Sequence, residues 1–279
     1  MDERTFNPAQ SLESEHQPDP DRFRHYKLRQ EYIMTHYFAD HPNSALTEDI
    51  LSQRTPIERA YRILKETGGQ DPVTHVLRAD LFPYALSAEI SLALAKRESQ
   101  TSEPGEARIT LAVFDIDDFK LINEEIGHDQ ANDVLERVAQ IISQEVRIND
   151  QAGEKPELTT AAPSPQPHQS SVPIDTVIRW GGEEFVAIFS STSLNPARVP
   201  VERIRQRIEA ELHDIRPNQR SITISCGLTE YLPDEQPKSD ADRELLIKNI
   251  FQSADRQMYA AKKSGKNAVY PPPETTKQV

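Results

Sequence analysis

The sequence predicts an α+β domain in which helices pack on a central, mostly antiparallel sheet. Three observations support this class. The near-continuous apolar run "ARITLAVFDIDDF" has the length of a strand buried on both faces. Two further runs, "DTVIRW" and "FVAIFS", flank a Gly-Gly pair and predict a β-hairpin. The element order is helix, strand, helix, hairpin, helix, strand, helix, which is typical of helices covering an antiparallel-rich sheet.

The helices follow from apolar residues at helical spacing. The first, "LFPYALSAEISLALAK", tolerates Pro83 in its opening turn. The segment "PVERIRQRIEAELHDI" is amphipathic, and residues 241–263 predict a long helix that stops near Gly265. The segment "NDVLERVAQIISQEV" places six apolar residues on one helical stripe: Val134, Leu135, Val138, Ile141, Ile142 and Val146.

The chain before this domain differs from it in composition. Residues 1–21 are polar and proline-punctuated, which predicts a flexible tail. Residues 22–68 predict a short helical segment, with helices at 22–39 and 56–67. The second of these helices opens with "TPIE", a capping box with proline at the first helical position. The signal or regulatory partner of this segment is not predicted by its sequence.

The domain itself is predicted to span residues 69–271, followed by a tail at 272–279. Residues 151–173 interrupt it with five prolines and almost no bulky apolar side chains. Such a segment cannot contribute to a core, so we expect a disordered surface insertion.

Composition narrows the functional class. The formal net charge of −13 argues against a broad nucleic-acid-binding surface. A single cysteine, Cys226, cannot form an intrachain disulfide and alternates with Ile222 and Ile224, which predicts a buried structural thiol. The first residues do not resemble a signal peptide, and no apolar run reaches the roughly 20 residues that span a bilayer. We therefore expect a cytoplasmic protein without a membrane span.

Carboxylates gather at two places in the predicted sheet. Asp115, with Asp117 and Asp118, ends the buried strand. Glu183 and Glu184 follow the glycine pair of the hairpin. A central strand and an adjacent hairpin can bring these acids within reach of one hard divalent cation, which takes carboxylate, phosphate and water oxygens. Alone, the hairpin acids are equally compatible with a solvated turn, and the strand-end aspartates favour the metal-site hypothesis.

Glycines and lysines extend this hypothesis towards a nucleotide. Gly181 and Gly182 carry no side chain and would let phosphates approach the backbone. Lys262 and Lys266 are four residues apart and are expected to share one side of a helix end, where lysine can act as a point charge for phosphate. Such lysines are common at helix ends, and their combination with the acids suggests a nucleoside triphosphate.

Four blocks in order, "FDIDDFKLINEEIGH", "RWGGEEF", "SITISCGLT" and "ADRQMYAAKKSGKN", resemble the GGDEF family of diguanylate cyclases over about residues 70–270. The resemblance implies a polymerase-palm, nucleotidyl-cyclase-like fold. It also implies that two subunits, each holding one GTP, meet to form cyclic di-GMP and pyrophosphate. Magnesium or manganese, two ions per active site, would serve this two-metal phosphoryl transfer, and a homodimer would be needed for catalysis.

The resemblance also assigns roles by position. It implies catalytic and metal-binding roles for Asp115, Glu183 and Glu184, and a metal contact from the backbone carbonyl of Ile116. Substrate-binding roles are implied for a larger set: Phe119, Lys120, Asn123, Asn132, Gly181, Gly182, Lys262 and Lys266. Lys266 stands where the family usually has arginine, so that a bidentate contact becomes a point charge.

The chain departs from the family pattern at the base-reading position. Asn132 stands where the family has an aspartate, and Ala131 replaces a glycine. A carboxylate accepts both donors of the guanine Watson–Crick edge, whereas an amide offers one acceptor and one donor, which suits adenine equally well or better. One alternative function is therefore a cyclic-dinucleotide synthase with relaxed or ATP-using base specificity. Another is a catalytically silent nucleotide-binding or scaffold module.

Two further departures concern regulation and packing. The product-inhibition motif usually begins with arginine and ends with aspartate. In the matching stretch "VPID", Asp175 remains, but Val172 replaces the arginine. The usual inhibitory site is therefore expected to be absent. The domain-opening motif "DPVTHV" carries His75 where the family has glycine, which predicts altered packing at the domain entry.

Overall fold

The computed structural model describes residues 69–98, 107–152, 176–216, 220–234 and 237–273. The predicted N-terminal helices at 22–39 and 56–67 lie outside these residues, as do residues 153–173 of the predicted insertion. Gln151 and Ala152, which we assigned to the insertion, instead end a helix. None of the described helices combines the length and the apolar character needed to cross a membrane.

The described residues form five α-helices: α1 (Phe82–Glu98), α2 (Phe119–Ile126), α3 (His128–Ala152), α4 (Leu194–Glu211) and α5 (Asp240–Lys263). They also form six strands: β1 (Leu77–Arg78), β2 (Ile109–Ile116), β3 (Thr176–Gly181), β4 (Glu184–Ser190), β5 (Ile224–Tyr231) and β6 (Val269–Tyr270). A single 3₁₀ turn, Ala79–Leu81, joins β1 to α1. The short helix α2 and the two-residue strands β1 and β6 were not predicted from the sequence.

The six strands form one sheet in the order β1-β3-β4-β2-β5-β6. The pairs β3–β4, β4–β2 and β2–β5 are antiparallel, and only the short edge strands β1 and β6 pair in parallel. Strand β2 lies between β4 and β5, and all of its residues are buried. The predicted α+β class, the antiparallel-rich sheet and the doubly buried central strand are thus confirmed.

The predicted stripe of α3 is buried, and it packs in one core with α4 and with one face of the sheet. Helix α4 is longer than predicted at its start and ends at Glu211, so that Leu212 and Ile215 follow it. Leu212 nevertheless stays in the core, and Ile215 packs against it. A chain that leaves a helix can keep its apolar side chains on the core, which is why periodicity overestimated the helix end.

On the other face, α5 approaches β5 so closely that a side chain would not fit between them. A Cβ built on Gly227 would lie 2.1 Å from the backbone oxygen of Ala254 and 2.1 Å from the backbone nitrogen of Met258. Real Cβ atoms do not approach backbone atoms this closely. Glycine at this position therefore allows α5 to lie directly on the sheet.

The hairpin forms as predicted, but its turn is shifted by one residue. Gly181 ends β3 and pairs with Glu184, the first residue of β4, so that Gly182 and Glu183 make the turn. Gly182 has φ +42°, a left-handed conformation that glycine adopts without strain. The sequence alone predicts a turn at Gly181 and Gly182 with both glutamates after it.

Candidate active site

The tip of β2 and the start of β4 bring two carboxylates together. Asp115 and Glu184 are direct partners in the antiparallel register, and both are buried. Side chains directly opposite in such a pair have Cβ atoms about 4.5–5.5 Å apart. The register therefore brings the two carboxylates to the same end of the sheet.

The hairpin turn lies against the same end of β2. The backbone N–H of Ile116 donates to the carbonyl of Glu183 at 3.3 Å. A Cβ added at Gly181 or at Gly182 would meet no atom within 4 Å. Asp115, Ile116, Glu183 and Glu184 are thus brought together beside backbone that a ligand can approach.

Arg179, which the sequence did not predict as a site residue, holds the turn. Arg179 donates from Nη2 and Nε to the carbonyl of Gly182, at 2.8 and 3.2 Å. Its Nη1 donates to Asp71 Oδ1 at 2.9 Å. Asp71 also accepts from the backbone N–H and the hydroxyl of Thr74. The domain-opening motif is therefore tied to the hairpin turn through one guanidinium.

These contacts change the acidity of Asp71. Burial alone would raise its pKa, but the hydrogen bonds from Arg179 and Thr74 outweigh burial, and the pKa is lowered. In the same motif His75 has φ +59°, and its N–H donates to the carbonyl of Asp71 at 2.9 Å. Glycine would fit this left-handed backbone conformation without strain, and histidine adopts the same conformation here.

Aromatic stacking fixes the strand that leads into the turn. The ring of Trp180 stacks on that of Phe251 in α5, with centroids 4.2 Å apart and an interplanar angle of 27°. Phe82 at the start of α1 meets the ring of Trp180 edge-on at 5.3 Å. Such contacts contribute about 0.5–1.5 kcal/mol each beyond burial. The hairpin is thus positioned against both helices of this face.

The two predicted lysines pair with different acids at the end of β2. Lys262, in the last turn of α5, places Nζ 2.5 Å from Asp115 Oδ1. Lys266 places Nζ 2.5 Å from Asp118 Oδ1, and this hydrogen bond raises the pKa of Lys266. Because α5 ends at Lys263 and Lys266 has φ +67°, the two lysines do not share one helical side as predicted.

Asp117 connects the remaining parts of the site. Its buried carboxylate accepts from the hydroxyl of Thr223 at 2.7 Å and from the hydroxyl of Ser225 at 2.6 Å. It also accepts from the backbone N–H of Asn267 at 3.0 Å. Asp117 therefore clamps the loop after α5 to β5 and to the end of β2. No local sequence pattern reveals this role, because its partners lie more than 100 residues away in the chain.

The remaining predicted substrate residues lie on α2 and α3. Phe119 packs against the core at the start of α2, and Lys120 is exposed. Asn123 is half-buried, and within the described part of the chain its Oδ1 is buried without a hydrogen-bond partner. Asn132 is exposed on α3, next to the buried Ala131. The structure therefore places these residues on two consecutive helices beyond the acidic strand end.

The donor set at the strand end fits a hard divalent cation. The described residues contain no cluster of three or more His, Cys, Asp or Glu side chains that could hold a metal by themselves. Magnesium usually binds through one or two carboxylates and takes water and substrate phosphates for its other positions. Asp115 and Glu184 supply that number of carboxylates.

Two other sequence predictions have clear outcomes. Cys226 is fully buried in the core, and burial raises the pKa of its thiol well above the ordinary value. The predicted burial of Cys226 is thus confirmed, and a buried thiol of this kind is typical of a structural residue. Val172 and Asp175 of the product-inhibition motif lie outside the described residues.

Comparisons with known proteins agree with this fold. Diguanylate cyclase A of Treponema denticola is 31% identical over 167 residues, which are 59% of this chain and 36% of that protein. Diguanylate cyclase DgcP of Pseudomonas aeruginosa is 30% identical over 183 residues, 66% of this chain and 21% of that protein. The chain thus spans about a third or less of the length of these relatives.

Solved structures show the same fold. The coiled coil and GGDEF domain of DgcB from Caulobacter crescentus, solved in complex with c-di-GMP, has a TM-score of 0.53 at 22% identity. That likeness covers 76% of this chain and 89% of the other. The GGDEF domain of DgcB, also in complex with c-di-GMP, has a TM-score of 0.50 at 25% identity. This likeness covers 72% of this chain and 94% of the other.

The family comparison covers most of the described domain, from Gln70 to Ala268. The family model described as "Diguanylate cyclase, GGDEF domain" matches residues 70–154 and 168–268, about two thirds of the chain. The match includes the acidic end of β2, the hairpin and the two lysines. The chain therefore belongs to the GGDEF family.

Proposed function

We propose that this chain is a diguanylate cyclase, a nucleotidyltransferase that condenses two GTP molecules into cyclic di-GMP and releases two pyrophosphates. The observation that carries the proposal is the buried register pair Asp115–Glu184 beside the approachable backbone of Gly181 and Gly182. Family membership supports the same reaction, since the relatives at 30–31% identity are named diguanylate cyclases.

The reaction balances over two identical transfers. In each, the 3′-hydroxyl oxygen of one GTP attacks the α-phosphorus of the other and forms a phosphoester bond. The bond between the α-phosphorus and the bridging oxygen breaks, and pyrophosphate leaves. The hydroxyl proton passes to a base, a role that the position of Glu183 in the turn supports. Two magnesium or manganese ions per site would supply charge neutralisation for the hydroxyl and the leaving group.

The protein would hold the triphosphate between the strand end and α5. Lys262 and Lys266 supply cations that pair with acids at the strand end, and Lys120 adds an exposed cation on α2. Phe119 begins α2, and the N–H groups of a helix start favour anions. The glycines would let the nucleotide approach the hairpin backbone.

The base would lie towards α2 and α3. A buried amide oxygen without a partner, such as Oδ1 of Asn123, can be satisfied by a donor on a ligand. Asn132, exposed on the next helix, would face the same base. Because Asn132 presents an amide to the base, the specificity for guanine or adenine has to be measured.

Catalysis requires two such sites to face each other, because each GTP supplies a nucleophile and a leaving group to the other. We propose a homodimer, at least during turnover. The initial rate per protomer should then rise with protein concentration until the dimer saturates, and sedimentation with a non-hydrolysable GTP analogue would measure the dimer itself.

Purified protein incubated with GTP and magnesium or manganese tests the proposal directly. We expect pyrophosphate release and cyclic di-GMP, identified by mass spectrometry. Asp115→Asn and Glu184→Gln should lower the rate at least about 100-fold, because each removes a charge from the proposed metal site. Circular dichroism would verify that both variants fold. Folded, nucleotide-binding protein that makes no cyclic product would contradict the proposal and favour a silent binding module.

A competition assay with GTP and ATP tests the base. If Asn132 reads the base, Asn132→Asp shifts incorporation towards GTP, whereas Asp133→Asn, a control at the exposed neighbouring position, does not. Exclusive use of GTP by the unmodified protein, with no change in Asn132→Asp, would show that the amide has no such role.

A further inference from the structure

The carboxylate proposed to bind metal already has a cation from the protein itself. Nζ of Lys262 lies 2.5 Å from Oδ1 of Asp115. The aspartate side chain is buried, and the lysine side chain is 28% exposed. A divalent ion that binds Oδ1 of Asp115 must therefore compete with this ammonium group.

The pairing has an electrostatic reason. Asp115 and Glu184 are buried and directly opposite, so that their negative charges repel each other at short range. The ammonium of Lys262 compensates part of this charge. A divalent cation compensates more of it, but it repels an ammonium at the same oxygen. The two cations are thus alternatives at Asp115.

The backbone that carries Lys262 is held in place while its side chain can move. Asp117 accepts from the N–H of Asn267, and Lys266 pairs with Asp118, so that the segment after α5 is fixed to the end of β2. The lysine stem has four methylene groups and retains rotational freedom at its partly exposed end. An ammonium displaced from Asp115 therefore stays within reach of a phosphate bound at the same strand end.

We propose that Lys262 couples metal binding to nucleotide binding by cation exchange at Asp115. Lys262 would leave the carboxylate when Asp115 binds a metal, and its displaced ammonium would contact the triphosphate. Metal binding then strengthens nucleotide binding through Lys262, and nucleotide binding strengthens metal binding to the same degree. The nucleotide half of this inference rests on the proposed function, whereas the competition between Lys262 and the metal does not.

The test compares Lys262→Met with Lys263→Met, a matched change at the next residue, where Nζ lies 4.9 Å from the ring centroid of Tyr259. Calorimetric titration of nucleotide-free protein with Mn²⁺ should show at least about fivefold tighter binding in Lys262→Met. A fluorescent, non-hydrolysable GTP analogue at saturating Mn²⁺ should bind at least about fivefold more weakly to the same variant. Lys263→Met should change neither affinity by more than about twofold.

The opposite signs separate coupling from structural damage, which would weaken both affinities. The proposal is overturned if Lys262→Met leaves Mn²⁺ affinity equal to that of Lys263→Met, or weakens it, or leaves analogue affinity unchanged. Lys262→Gln is a second neutral variant with the same expectations, should the methionine variant not fold. Protein that shows both shifts but forms no cyclic dinucleotide would contradict the proposed function and leave the exchange intact.

Discussion

Removing the carboxylate of Asp117 should destabilise the domain by about 3–5 kcal/mol. The carboxylate accepts three hydrogen bonds, from Thr223, Ser225 and the backbone of Asn267. Hydrogen bonds to a charged group contribute about 1.5–3 kcal/mol each. In Asp117→Ala the fully buried Ser225 hydroxyl loses its partner, whereas water can reach the partly buried Thr223 and Asn267 and replace part of the loss. The predicted loss of about 3–5 kcal/mol therefore lies below the sum over all three hydrogen bonds.

Urea denaturation followed by far-UV circular dichroism measures this change in the free energy of unfolding. Asp118→Ala is the matched control, since Asp118 is the next residue, is 51% exposed and pairs across the surface with Lys266. Exposed ion pairs contribute about 0–1 kcal/mol. Equal losses in Asp117→Ala and Asp118→Ala would refute the clamp. Asp117→Asn should fall between them, because its amide keeps one accepting oxygen.

Three further changes test other parts of the structure. Gly227→Ala should cost about 3 kcal/mol or more and lower the melting temperature, because its Cβ would overlap the backbone of α5, whereas Gly181→Ala meets no atom and should cost under about 1 kcal/mol. Equal melting temperatures would contradict the close approach. Asp71 has a lowered pKa when folded, so its contribution is present above the unfolded value of 3.8 and is lost as pH falls through the folded pKa. In a plot of unfolding free energy against pH, Asp71→Asn should therefore reduce the slope at acidic pH. An unchanged slope would contradict the role of Asp71. Arg216→Gln should cost about 2–3 kcal/mol in urea denaturation, since buried Arg216 forms two hydrogen bonds to Glu125; a loss below about 0.5 kcal/mol would show that this pair is not stabilising.

Local patterns in the sequence were sufficient for the main elements of the sheet. The run that forms β2 is apolar at nearly every position, which distinguishes a strand covered on both faces from one with a solvated face. The Gly-Gly pair between two apolar runs located the hairpin, although it could not separate a turn at Gly181-Gly182 from one at Gly182-Glu183. That choice depends on how β4 pairs with β2, which is not encoded in the hairpin alone.

The candidate site was only partly predictable because its contacts join distant parts of the chain. The sequence indicated that the acids of β2 and of the hairpin would meet, and Asp115 and Glu184 do so. It gave no sign that Arg179 would join the turn to Asp71, 108 residues earlier. It also placed Lys262 among phosphate-binding residues without indicating that it pairs with Asp115. Partner choice between charges is a tertiary property that residue type and spacing do not determine.

The three aspartates at the end of β2 show why one short motif can serve both folding and catalysis. Strand β2 is the only described strand that pairs with both β4 and β5, so its end is where the hairpin and the segment after α5 can meet. Asp115 faces Glu184, Asp117 holds the Asn267 backbone, and Asp118 pairs with Lys266. The cations that would meet a triphosphate are thereby positioned by the same strand that carries the proposed metal ligand. A change that loosens the clamp should therefore alter nucleotide affinity as well as stability.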